Sequence, residues 1–334
     1  RFGDRQCARI PQRAHVARPA GMRGLILYPM NALVEDQMTR LRKAMDSARA
    51  RSWFDANSAG NQIYFGRYNS STPKSGREFQ ANGRPDRKKI RDLATELRQT
   101  ARDADAARRH AEANPDDGDV IYFFPRMDGA EMRSRWDMHD APPDLMITNY
   151  SMLSLMLMRD VDRPIFEQTA AWLRDDPNAV FHLVVDELHL YRGTPGTEVA
   201  LLLRLLLKRL GLTPSSPKLR ILASSASLER NADSLEFLRD FFGGEWRDEH
   251  IISGQLAPIP PALDGLLPTE PFEHLASALD SSPTGESEAV TQACAAIADV
   301  LGGGAGSDPR GTMTAAFLRP DSSARALLLQ GCRD

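Results

Sequence analysis

From Gly24 onward, short apolar runs alternate with longer stretches of helical periodicity. "GLILYP" is a buried strand stopped by Pro29, and "NALVEDQMTRLRKAMDSARA" follows with Leu33, Met38, Leu41 and Met45 at helical spacing. "NQIYFGRY" is a second short strand, entering the turn-rich "NSSTPKSG". "PPDLMITNYSMLSLMLMR" repeats the unit, with Leu145 to Thr148 as strand and Ser151 to Arg159 as helix. "AVFHLVVDE" is a further strand, and "GTEVALLLRLLLKRLG" a strongly apolar helix closed by Gly211. "KLRILASSAS" is the last strand, followed by the helical "SLERNADSLEFLRDFFGG". Buried strands joined by crossover helices predict a parallel sheet in a three-layer α/β domain. Ligands of such sheets sit at the carboxyl ends of the strands.

Around this domain, over residues 24–253, the pattern fades. Residues 1–23 are polar, basic and aperiodic, and an Arg start has the look of a fragment or processed end. Asp86 to Asn114 is densely charged and Ala-rich, which predicts a solvated helix within an insertion near 86–118. Its acids interleave with its bases, favouring a salt-bridged face over a nucleic-acid grip. After Gly254 the composition shifts to Pro, Gly, Ser and Ala, so 254–334 reads as a linker ("LAPIPPALDGLLP") and modest helices around "GGGAGSDP".

Composition narrows the class without choosing a partner. With 334 residues, 42% of them hydrophobic, the chain can build a substantial core, and a net charge of −3 leaves any nucleic-acid surface to local residues. Cys7, Cys294 and Cys332 lie far apart with no CxxC or HxxxH pattern, which argues against a disulfide framework or zinc site and suits a reducing cytoplasm. No apolar run approaches the roughly 18 to 20 residues that span a bilayer.

Four strand ends carry polar groups: "YPMNALVEDQ", "TNYSML", "DELH" and "SSAS". Any one alone reads as a solvated loop; their joint occurrence in this order is harder to explain that way. Asp186, leaving an apolar strand, can hold magnesium directly or through water, since that hard cation prefers carboxylate and water oxygens. Glu187 beside it can polarise an attacking water, an acid pair suited to hydrolysing a metal-bound triphosphate. The amides at the helix starts after Pro29 and Asn149 suit phosphate; for Asn31 and Asn149 helix capping is the alternative, compatible with it. Trp136 in "SRWDMHD" is either a base-stacking ring or a buried anchor.

These segments resemble the first RecA-like, P-loop NTPase motor domain of a superfamily 2 DExH/DEAD-box helicase over about Gly24 to Phe242. "LYPMNALVEDQ" is similar to motif Ia, "ITNYSML" to motif Ib, "VVDELH" to motif II and "SSAS" to motif III. "FGRYNSSTP", "RSRWDMHDAPPDLMITNYSML" and "DELHLYRGTPGTEVALLLRLL" further resemble large bacterial helicases of DNA-repair and anti-phage-defence type. The resemblance implies ATP and Mg as cofactors, with Asp186 on magnesium, Glu187 activating water and His189 coupling the nucleotide site to a second motor domain. It also implies that Ser225, Ala226 and Ser227 link hydrolysis to strand movement. Pro29, Met30, Asn31, Ala32, Thr148 and Asn149 would line the groove for nucleic acid, with DNA, single-stranded or duplex, favoured over RNA.

The phosphate loop G-x-x-x-x-G-K-[ST] that such a motor needs is not in this sequence: Lys43, Lys74, Lys88, Lys89, Lys208 and Lys218 are its lysines, and glycine precedes none of them. Nothing resembles the second motor domain or its arginine finger. The expectation is therefore part of an ATP-driven helicase or translocase, with little ATPase activity in this chain alone. The competing expectation is a catalytically silent nucleic-acid-binding or assembly module that keeps the fold.

Overall fold

The computed structural model describes residues 9–254, 268–281, 287–301 and 308–318, with the side chains of 31–33 left aside. Cys7, Cys332 and nearly all of the two Gly- and Pro-rich connecting stretches lie outside the described residues. The chain divides into two compact units, Arg1–Ser253 and Gly254–Asp334.

The first unit has an α/β fold of three layers. Its strands are β1 (Gly24–Tyr28), β2 (Phe65–Arg67), β3 (Leu145–Asn149), β4 (Phe181–Val185) and β5 (Leu219–Ala223), all parallel, in the order β2-β3-β1-β4-β5. Its helices are α1 (Asn31–Met45), α2 (Ala48–Ser58), α3 (Arg87–Ala113), α4 (Arg135–Asp140), α5 (Tyr150–Met158), α6 (Arg163–Asp175), α7 (Gly193–Arg209) and α8 (Ala232–Phe242). The stretch expected as one helix after Pro29 breaks at Ser47, whose hydroxyl accepts from the Ala50 amide and starts α2. From β1 to β2 the chain moves one way across the sheet, and from β2 onward the other. Right-handed crossovers therefore put α1 on one face and α5 to α7 on the opposite one, where α8 packs against α7.

The core lies mainly under α5 to α8. Leu25, Leu27, Leu183 and Val185 point down from the sheet onto Leu153, Phe166, Val199, Leu203, Leu206, Leu238 and Phe241, all buried. Burying each such side chain stabilises by about 1.5–3 kcal/mol before the cost of ordering it.

The α1 face is covered unevenly. Along the row Ile147, Ile26, Val184 and Leu222 the side chains pass from fully buried through half-buried to 56% exposed. Helix α1 packs on β1, β2 and β3. Among the described residues no strand pairs with the outer edge of β5.

Two expectations need correction. Helix α3 is charged but not wholly solvated, because Ile90, Leu93, Ala94 and Leu97 fall on one stripe and Ile90, Leu93 and Leu97 close against Trp136. Residues 9–23 are irregular yet firmly laid down. Arg9 reaches Glu78 (2.8 Å), Asp137 (2.5 Å) and Asp140, while Arg13, Arg18 and Arg23 converge on buried Asp144.

The second unit contains α9 (Glu270–Ser281), α10 (Glu288–Val300) and α11 (Pro309–Leu318). Val290, Ala293, Cys294 and Ile297 form the buried stripe of α10, and Phe272 meets Phe317 edge to face at 6.2 Å. Cys294 is a buried free thiol. Among the described residues no helix is long and apolar enough to cross a membrane.

Candidate functional site at the carboxyl ends of the strands

The parallel sheet brings the tips of β3, β1, β4 and β5 to one edge, and the sequence-predicted residues gather there. Strand β4 ends at Val185; the Asp186 amide still donates to Leu27 O of β1 at 3.0 Å, so the acid pair starts where the ladder stops. Asp186 and Glu187 are half-buried. Glu187 adopts φ +54°, ψ +46°, a left-handed conformation uncommon for a side chain with a Cβ. That turn takes the chain out of the sheet direction, and the two acids meet different partners, Asp186 the Ser224 hydroxyl and Glu187 the His189 ring.

The residue that organises the pair is Ser224, at the tip of β5. Its hydroxyl donates to the Asp186 carboxylate and accepts the Glu187 amide at 3.2 Å. Its carbonyl accepts the Leu188 amide at 2.8 Å, and its own amide donates to Val185 O at 3.1 Å. Sequence reasoning assigned Ser225, Ala226 and Ser227 and missed Ser224, although it opens the same "SSAS". Of the three, Ala226 and Ser227 are exposed and Ser225 half-buried; the Ser227 hydroxyl accepts from Arg192 at 3.3 Å.

His189 stands between the two strand tips. Its Nδ1 lies 3.2 Å from Glu187 Oε2 and 3.4 Å from the Ala226 amide. One nitrogen cannot serve both: the amide needs its lone pair, the carboxylate needs its proton. The imidazole thus joins the acid pair to the "SSAS" turn through contacts that exclude one another.

Tyrosines surround the Asp186 side of the cluster. Tyr28, ending β1, is buried, and burial together with the negative charge of Asp186 pushes its phenol up to about 12. Tyr191 is also buried; desolvation raises its phenol, and its hydroxyl has no hydrogen-bond partner among the described residues. Gly196 makes room for that turn, since a Cβ there would stand 2.0 Å from Tyr191 O.

The candidate nucleic-acid residues fare unequally. Met30 is 55% exposed and caps α1 without a side-chain hydrogen bond; Pro29 is half-buried, and the side chains of Asn31 and Ala32 lie outside the described residues. Asn149 caps α5, its Oδ1 accepting the Met152 amide at 2.8 Å. Neither α1 nor α5 has an acidic residue in its first turn, so both helix starts keep their positive dipole ends. Thr148 must be corrected: it is fully buried and its hydroxyl donates to Tyr68 O at 2.6 Å, so its side chain cannot line a groove. Trp136, 2% exposed with Nε1 donating to Gly76 O at 3.0 Å, is an anchor and not a stacking ring.

The segments "FGRYNSSTP" and "RSRWDMHD" meet in a buried polar cluster. Tyr68 donates to Asp162 and lies 3.1 Å from His139 Nε2, and Arg135 sits over the Tyr68 ring at 4.9 Å. Cavities of about 400 and 520 Å³ flank this region, the first beside Arg9, His15 and Arg133 and the second beside Phe79, Trp136 and His139, away from Asp186.

Among the described residues no three His, Cys, Asp or Glu side chains gather to hold a metal. The donor set at Asp186 still fits magnesium, which keeps most of its water and takes one or two carboxylates together with substrate phosphate. It does not fit a dedicated all-protein metal cage.

No protein-family sequence model matches the chain. It is 33% identical over 264 residues to the Druantia protein DruE of Escherichia coli (strain UMEA 4076-1), a match covering 70% of this chain and 14% of DruE. Two crystal structures of the DUF1998 helicase MrfA, the first of them bound to DNA and AMPPNP, align with TM-scores of 0.37 and 0.37 at 17% and 16% identity. Those alignments cover 84% and 89% of this chain but 29% and 35% of MrfA, and at such scores the likeness carries no functional weight. The chain thus spans a small part of the length of the proteins it matches.

Proposed function

We propose that this chain is part of an ATP-dependent DNA helicase or translocase, contributing the acid half of its nucleotide site and part of its nucleic-acid groove. The observation that carries the reading is Asp186 and Glu187 at the carboxyl end of a central parallel strand, held by Ser224 from the neighbouring tip. Asp186 would hold magnesium, whose chemistry is to neutralise charge on the bound phosphates. Glu187 would accept a proton from the attacking water, and His189 would relay the state of that acid to "SSAS". The first-turn amides of α1 and α5 would bind the DNA backbone beside Met30 and Asn149. The resemblance of "FGRYNSSTP", "RSRWDMHDAPPDLMITNYSML" and "DELHLYRGTPGTEVALLLRLL" to helicases of DNA-repair and anti-phage-defence type extends the proposal to such a role.

The sequence holds no G-x-x-x-x-G-K loop, so the chain by itself has little or no ATPase activity. That same absence favours the second reading, a silent nucleic-acid-binding module with a helicase fold. Measuring ATP turnover of the 334-residue chain with single-stranded DNA, beside DNA affinity against salt, tests both. The expected result is negligible turnover, with binding whose log–log salt slope is about −0.7 per phosphate contacted. Turnover like that of an intact helicase, abolished by Glu187→Gln, would refute the half-site; salt-independent or absent binding would refute both nucleic-acid readings.

A further inference from the structure

Tyr150, the first residue of α5, is 41% exposed, and its hydroxyl has no partner among the described residues. Its ring is nevertheless held in place. It meets Tyr191 edge to face, with centroids 6.3 Å apart and planes at 89°. Tyr191 is 3% exposed and leans on Phe241 at 6.0 Å; Phe241 meets Phe242 at 4.8 Å, and Phe242 meets Trp246 at 5.6 Å. Tyr150 ends a row of five rings that passes through buried Tyr191, Phe241 and Phe242 to half-buried Trp246. A perpendicular partner covers at most one face of Tyr150, and at 41% exposure the residue keeps a substantial surface in reach of a ligand.

The surroundings indicate what could lie on that surface. Asn149 pairs in register with Tyr28, so Tyr150 sits one strand away from exposed Met30. The α1 and α5 starts, without first-turn acids, flank the position with phosphate-binding amides. A rigid aromatic face beside two amide clusters matches a nucleotide of a single strand, base on the ring and phosphates on the helix ends. A ring fixed from behind loses little side-chain entropy on binding.

We propose that Tyr150 is a base-stacking platform for single-stranded nucleic acid, backed by Tyr191. This rests on the nucleic-acid reading above, but neither motif resemblance nor phosphate contact requires it. Because Tyr191 leaves the same turn as Asp186, Glu187 and His189, a base on Tyr150 would press on the turn that carries the acid pair.

The test uses the full 334-residue chain, fluorescence anisotropy, and two labelled 12-mers, oligo(dT) and a wholly abasic version with the same phosphates. Tyr150→Ala is expected to weaken oligo(dT) binding by roughly 5- to 150-fold, the range that base–aromatic stacking supplies. Tyr150→Phe should stay within about twofold of wild type, because the ring and not the hydroxyl acts. On the abasic strand wild type and Tyr150→Ala should bind alike, with unchanged salt slopes. Equal oligo(dT) affinity for Tyr150→Ala and wild type overturns the proposal while leaving the nucleic-acid reading intact. So does an equal loss on both strands, which would make Tyr150 a structural residue. Wild type that binds neither strand removes the nucleic-acid reading and this proposal with it.

Discussion

Glu187 offers a test in which function and folding pull in opposite directions. Its φ of +54° places a Cβ-bearing residue where only glycine is at ease, at a cost of about 1–2 kcal/mol. Two substitutions separate that cost from loss of the carboxylate. Glu187→Ala and Glu187→Gly both remove the contact with His189 at 3.2 Å, so it cancels in their difference. What remains is backbone. At an ordinary position glycine is less stable than alanine by about 0.5–1 kcal/mol, because its unfolded chain has more freedom to lose. At Glu187 relief of the left-handed strain should outweigh that penalty and leave the Gly variant about 0.5–1 kcal/mol more stable than the Ala variant. For a unit of this size the difference corresponds to roughly 1–4 °C in Tm. Urea unfolding followed by circular dichroism reads it as a higher midpoint with unchanged slope. An Ala variant as stable as the Gly variant, or more so, would refute the strained turn and with it the idea that the acid pair is held at a cost to the fold.

Two further expectations concern the same turn. Ser224→Ala removes one hydroxyl with two bonds; the site is exposed, so the loss should be modest, about 1 kcal/mol, and a Tm equal to wild type would deny Ser224 its organising place. Gly196→Ala puts a methyl where Tyr191 O stands 2.0 Å away, so it should cost at least about 1–3 kcal/mol and disturb Tyr191 fluorescence; a neutral change in urea midpoint would show that the turn is slack.

The sheet was legible because each strand is a short apolar run with its own polar stop, information carried within ten residues. Asp186, Glu187 and His189 were legible for the same reason: they adjoin such a stop. Ser224 was not, because its importance comes from β5 lying beside β4, which the one-dimensional pattern does not record. Thr148 misled in the opposite direction. A hydroxyl at a strand end suggests solvent, but this one faces the core and is satisfied by Tyr68 O, a carbonyl 80 residues away in sequence. The buried stripe of α3 was hidden by charges that occupy every other face of the helix, and the Arg9 and Asp144 clusters pair residues 69 to 131 positions apart, such as Arg9 with Glu78 and Arg13 with Asp144.

The outer edge of β5 also has a bearing on how the protein behaves in concentrated solution. The five residues of β5, with Leu222 among them 56% exposed, pair with no strand on their outer side among the described residues and are a template on which another copy can add a strand. Arg220, exposed on the same strand, is the charge that opposes such addition. Pairing there would bury Leu222 and clamp the turn bearing Ser224, so crowding and rising salt, which screens Arg220, would act on the candidate site through assembly instead of through its own chemistry.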